Sequence, residues 1–508
     1  MSTLTLEPAY AGGSMRPRYS AAAFAIASLA VVFAPIPAVA DYPETPSKPA
    51  EPAAPSIADA YRAQADKIIG AALAGNDVYR KLEDLCLLIG HRLSGSPQLE
   101  RAIDWAIEAL KKDGQENVHR EKVMVPHWVR GAESATILEP RSATLTMLGL
   151  GGSIGTPPEG ITAPVVVVAD EEGLDKIGDE AKGKIVLFDN LMPPYDPEKG
   201  SGYGKAVKYR GKGASLAAKK GAVACLIRSV TARSLRSAHT GAMRYEDNVP
   251  RIPAAAITIE DTELIARLRA RGLPVVVNLK MEAKTLDDAP SANVLAELRG
   301  REKPEEIVVI GGHIDSWDVG QGAHDDGAGI VMCMEAINVL RKVNMIPRRT
   351  IRVVLFTNEE NGLAGGKAYA KEHEAELKNH VAAIESDSGG FKPTGYSTEC
   401  EDKDREAVAA KQLEDIVSLL SSIGPMKVST GHSGADIGAM ESAGVLLMGH
   451  NVEGSRYFDY HHAQADTIDK VDPHDLSENV AVLATVAYIL ADMPERLGEK
   501  PVSDTATR

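Results

Sequence analysis

The sequence predicts an α/β protein, a mostly parallel mixed sheet flanked by helices and carrying a β-rich insertion. Three observations lead there. From residue 291 to about 493, short apolar β-branched runs alternate with stretches of helical periodicity. Between about 164 and 277 the pattern changes to short strands, with basic, glycine-rich loops between the last two. Finally, the apolar runs of the second half end in polar segments that carry His, Asp or Glu.

In chain order, residues 57–74, 78–89 and 97–112 place apolar side chains at helical spacing, and Gly114 closes the third helix. A β-rich stretch covers 123–147. Strands at 165–168, 185–187, 222–227 and 254–259 form the insertion, whose bounds are read as 151–280. Residues 56–150 and 281–495 then make one domain around it. Its second part reads strand 306–311, helix 327–341, strand 350–356, helix 363–378 and strand 381–386, and 496–508 form a polar tail.

The N-terminus reads as a secretory signal over residues 1–40. Arg16 and Arg18 precede an apolar stretch at 21–33, and Ala38-Val39-Ala40 offers small residues for cleavage before Asp41. A membrane anchor is the rival reading. The apolar core is short for a span of roughly 20 residues, and Pro35 and Pro37 interrupt it. Residues 41–55, rich in Pro, Ala and Glu, read as a tether. A periplasmic or secreted location follows. Cys86, Cys225, Cys333 and Cys400 are widely spaced and form no C-x-x-C, so none is expected as a ligand. A net charge of −15 argues against nucleic acid and anionic membranes as partners.

Chemistry concentrates at the strand ends. Ile307-Val308-Val309-Ile310 runs into Gly312-His313-Ile314-Asp315, then into Gly322-Ala323-His324-Asp325-Asp326-Gly327. Strand 350–356 runs into Asn358-Glu359-Glu360, strand 381–386 into Asp387, and Tyr460-His461-His462 precedes Asp466-Thr467. His313, Asp325, Glu360, Asp387 and His462 are nitrogen and oxygen donors of the kind zinc takes, yet too many for one tetrahedral catalytic ion. Two zinc ions fit if Asp325 bridges them, with His313 and Asp387 on one and Glu360 and His462 on the other. Such ions, roughly 3.5–4 Å apart, clamp an attacking hydroxide and polarise a carbonyl. Glu359, not needed as a ligand, is left as general base. Asp315 is expected to accept the second ring N–H of His313.

The order H-x-D, G-A-x-D-D, N-E-E, D-S and H-x-x-x-D-T resembles the co-catalytic zinc aminopeptidase and carboxypeptidase family over roughly residues 57–495. Gly90-His91-Arg92-Leu93-Ser94-Gly95-Ser96 and Pro126-His127-Trp128-Val129-Arg130-Gly131 are also similar to it. The resemblance implies the zinc exopeptidase fold and the same five ligands, with Glu359 as base. It also implies a cis peptide between Asp325 and Asp326, and for 151–280 a protease-associated domain. Many relatives carry tyrosine just before the last metal histidine, where it stabilises the oxyanion; here His461 stands there. The implied activity is exopeptidase action on small peptides, dipeptides foremost, with aminopeptidase action on longer peptides as the alternative and homodimerisation left open.

Two rivals remain. Gly431-His432-Ser433-Gly434-Ala435 nearly makes a nucleophile elbow, so a serine hydrolase using Ser433 is the competing chemistry, although residues 427–429 make a poor strand before it. A receptor-like protein without catalysis is the other. The run Gly200-Ser201-Gly202-Tyr203-Gly204-Lys205 imitates a phosphate loop, but no strand-to-helix junction is expected around it.

Overall fold

The computed structural model describes residues 56–499; the signal and tether readings and the end of the tail lie outside the described residues. No helix among them is long and apolar enough to cross a membrane.

The main sheet has eight strands. In spatial order they are Glu116–Val129, Lys284–Leu298, Arg349–Phe356, Lys303–His313, His380–Glu385, Leu446–Val452, Pro393–Glu399 and Lys427–Thr430. The four central strands, from Arg349–Phe356 to Leu446–Val452, are mutually parallel, and antiparallel pairings flank them. Arg349–Phe356 and His380–Glu385 are buried at every residue, which is why their middles read as mainly apolar, with Arg352 buried against Glu297.

Helices cover both faces. Ala328–Lys342 is buried from Ala328 to Leu340, and Pro473–Asp492 from Leu476 onward except for Ser477. Their apolar surfaces merge with Ile57–Ala74 and Pro97–Lys112 into one core. The starts are specified locally. Ser56 and Ser96 accept the N–H of Asp59 and Leu99, Asp472 accepts that of His474, and Pro97 and Pro473 open their helices.

Three expected elements differ. The helix expected at 363–378 stops at Glu372 and is followed by a tight turn at Leu377–Asn379. Residues 427–430 do form a strand, a mostly exposed one at the sheet edge. The insertion is not simply β-rich. Its own eight-stranded sheet takes in residues from Glu133 to Met281, and its strands Ile161–Val168, Ile185–Phe188, Ala224–Arg228 and Ala254–Ile257 run parallel. Helices Glu171–Ile177 and Lys208–Lys219 connect the first three, and Ile259–Ala270 leads from the fourth to the antiparallel strand Val276–Met281. A short helix, Tyr203–Ala206, also begins inside the glycine-rich imitation of a phosphate loop.

Candidate metal centre

The central parallel strands all end at one edge, where α/β sheets place their ligands. His313 is the last residue of its strand. Glu359 and Glu360 follow Arg349–Phe356 through a turn in which Asn358 takes a φ of 68°. Asp387 lies two residues beyond His380–Glu385. His462, at a φ of 60°, follows the short helix Tyr457–Tyr460. Asp325 occupies the loop before Ala328–Lys342, and its peptide bond to Asp326 is cis.

Asp325 stands in the middle. Its Oδ1 is 3.2 Å from His313 Nε2, and its Oδ2 is 3.4 Å from His462 Nε2. Asp387 Oδ1 lies 3.5 Å from His313 Nε2, and Glu360 Oε2 lies 3.0 Å from His462 Nε2. Donors about 2.1 Å from a tetrahedral ion sit roughly 3.4 Å from one another, so these spacings suit ions held on either side of one carboxylate. Asp325 Oδ2 and Asp387 Oδ1 are buried with no hydrogen-bond partner, as acceptors reserved for a cation would be. The five expected donors therefore converge. His461 joins them, with its Nε2 3.9 Å from Asp325 Oδ2 and its ring stacked 3.5 Å from that of His462.

Burial sets the electrostatics. It raises the carboxyl groups of Asp325 and Glu360 and lowers the His462 imidazole well below its usual range. Burial pulls His313 down too, but Asp387 and Asp325 hold it well above its ordinary value. Glu359 is pushed up to about 8 by its burial. A cation bound among them would displace the protons these groups otherwise hold, so metal uptake releases protons and weakens as pH falls.

Asp315 does something other than expected. The ring Nδ1 of His313 meets the main-chain carbonyl of Asp315 at 3.1 Å, while the Asp315 carboxylate stands 3.7 Å away. That carboxylate instead accepts the N–H of Glu359 at 3.0 Å and of Glu360 at 3.4 Å, because the Glu359–Glu360 turn presents its amides to it. It fixes the Glu359–Glu360 turn, not the imidazole.

Several supports went unassigned in the sequence. Arg92 is fully buried and donates to the carbonyls of Ile314, Gln321 and Gly322 at 2.6, 2.9 and 3.0 Å. Asp466 accepts the N–H of His324 at 2.8 Å and of Asp325 at 3.1 Å. Asp326 accepts the N–H of His313 at 3.0 Å. Gly322 takes a φ of 58°, and a Cβ there would lie 2.5 Å from the Ser316 Cβ. The motif around Arg92 was visible; its partners were not.

The insertion closes the other side. Thr240 donates its N–H to the carbonyl of His462 at 2.9 Å, and its own carbonyl lies 3.3 Å from His462 Nδ1, which turns Nε2 toward Glu360 and Asp325. Arg210 places Nη1 3.4 Å from His462 Nδ1 and its guanidinium over the Tyr203 ring. The Arg210 Nε is buried without a partner. A groove of about 850 Å³ leads away past Asp387, Tyr457 and Phe458, and a hollow of about 340 Å³ opens beside Glu359, Glu360 and Trp128. The rival nucleophile is differently engaged, since the Ser433 hydroxyl donates to Glu399 at 2.9 Å.

Fold and donor set define a metallopeptidase. The family model for Peptidase family M28 matches residues 293–487. Carboxypeptidase Q of Mus musculus is 44% identical over 440 residues, covering 86% of this chain and 91% of that protein. The crystal structure of a peptidase M28 precursor from Shewanella amazonensis shares 38% identity at a TM-score of 0.81, covering 86% of this chain and 98% of that one. A zinc aminopeptidase from Bacillus subtilis, 20% identical with a TM-score of 0.58 over 82% of this chain and 94% of that one, shares the fold. The chain belongs to peptidase family M28.

Proposed function

We propose that this protein is an exported di-zinc exopeptidase that hydrolyses small peptides, dipeptides with free termini foremost. One observation carries the reaction: the two oxygens of Asp325 face two different histidines, at 3.2 and 3.4 Å. His313 and Asp387 would hold one zinc ion with Asp325, and Glu360 and His462 the other. When bound, the ions supply Lewis acidity toward the scissile carbonyl and acidify the attacking water. Glu359 takes a proton from that water and passes it to the leaving amine, its turn fixed by the Asp315 carboxylate. No covalent intermediate is required.

The substrate class is supported by Arg210. It is a cation with an unused donor beside His462, so a free carboxylate is the complementary group. Residues 151–280, read as a protease-associated insert, would then contribute specificity. Aminopeptidase action on longer peptides is the second reading, favoured by the size of the groove beside Asp387. The test compares unmodified dipeptides, C-terminally amidated dipeptides and amino-terminal arylamides, with wild type and Arg210→Ala. Free dipeptides should be preferred, and Arg210→Ala should remove the preference by raising KM. Equal turnover of amides and acids by the wild type contradicts the dipeptide reading.

A further inference from the structure

We propose that His324 is a positioning residue that fixes the bridging carboxylate of Asp325 by tying its loop to the loops that carry Asp387 and His462; this rests on the metal reading above. A histidine next to a ligand and wholly buried is most simply filler. This one is not, because both ring nitrogens are engaged and two aromatic rings stack with it, and the partners belong to other loops of the site.

Gly390 donates its N–H to His324 Nδ1 at 3.1 Å, so the ring carries its proton on Nε2 and directs it to the carbonyl of Lys470 at 3.3 Å. Gly390 lies three residues past Asp387, in the same loop. The imidazole stacks on Phe391, with centroids 4.2 Å apart and planes 8° apart. It is also nearly parallel to the ring of Tyr460, at 5.6 Å and 8°, two residues before His462. Gly389, at a φ of 88°, makes room for the ring, since a Cβ there would stand 3.0 Å from His324 Nδ1.

These contacts complete a division of labour. Asp466 and Arg92 hold the backbone of the Asp325 loop through its amides and carbonyls. Neither spans to the Asp387 loop. The His324 ring does, and it sets the separation between the bridging carboxylate and the ligands on either side of it. Groups that orient ligands in this way commonly change metal affinity by 10- to 100-fold when removed.

The test measures zinc binding by the chelator-stripped full chain in competition with a chromophoric chelator, with thermal unfolding of the metal-free protein alongside. His324→Phe keeps the stack and loses both hydrogen bonds; His324→Asn keeps an acceptor toward Gly390 and loses the stack. The phenylalanine variant should bind zinc about 10- to 100-fold more weakly, and the asparagine variant should fall between it and wild type; both metal-free proteins should still unfold cooperatively, though below the wild-type temperature because a buried hydrogen bond or the stack is lost. A folded variant that takes up two zinc ions at wild-type affinity overturns the proposal; if the phenylalanine variant does not fold, the asparagine variant alone decides. A wild-type chain that binds no pair of zinc ions overturns the metal reading itself, and with it this one.

Discussion

The guanidinium of Arg92 donates to the carbonyl of Gly322 at 3.0 Å, fastening a segment near the start of the domain to the loop that carries Asp325. Arg92 is fully buried, and its other donors are spent on Ile314 and Gln321. Removing it strands several buried carbonyls at once. Arg92→Met should cost about 3 kcal/mol or more, read by denaturant unfolding, and should weaken zinc binding as the loop loosens. An unchanged unfolding midpoint would show that water or a neighbour satisfies those carbonyls instead.

In the proposed mechanism Glu359 moves a proton and holds no metal. Glu359→Gln should therefore retain the zinc content of the wild type while kcat falls roughly 10²- to 10⁴-fold. Metal analysis and steady-state kinetics on the same preparation check this. Loss of zinc together with activity would make Glu359 a ligand.

A histidine far along the fold gives a pH-dependent stability. His373 sits between Glu121 at 2.8 Å and Glu376 at 3.1 Å, joining the Glu116–Val129 strand to the segment after Ala364–Glu372. Burial pulls the ring down, but the two carboxylates outweigh it and raise its pKa above 6.5. A raised folded-state value stabilises the protein below the unfolded value, and the contribution is lost as pH rises through the folded one. The stability difference between wild type and Glu121→Gln should thus be larger at pH ~6 than at pH ~8.5, by at most about 1 kcal/mol because His373 is only partly shielded from water and keeps Glu376 as a partner. Parallel urea titrations at the two pH values measure it; a difference that grows with pH contradicts the assignment.

Much of the centre could be read in the sequence because its chemistry narrows the choice of residue. Few side chains ligate zinc, and His313, Glu360 and Asp387 each follow an apolar run that announces a buried strand. What could not be read acts across the chain. Arg92, Asp466 and Arg210 find their partners through tertiary contacts that no local periodicity encodes. The spacing of His313 and Asp315 leaves the direction of the carboxylate undetermined, so its pairing with the Glu359–Glu360 amides stayed hidden. In the insertion, Gly211 and Gly213 interrupt the helical pattern of Lys208–Lys219, which made a parallel α/β sheet look like strands and loops.

Whether Asp325 is shared by two ions is decided by zinc stoichiometry. Stripped wild-type protein titrated with zinc should bind two ions per chain, and Asp325→Ala should lose high-affinity binding of both. A single ion in the wild type, or one site left intact in Asp325→Ala, would contradict the shared carboxylate.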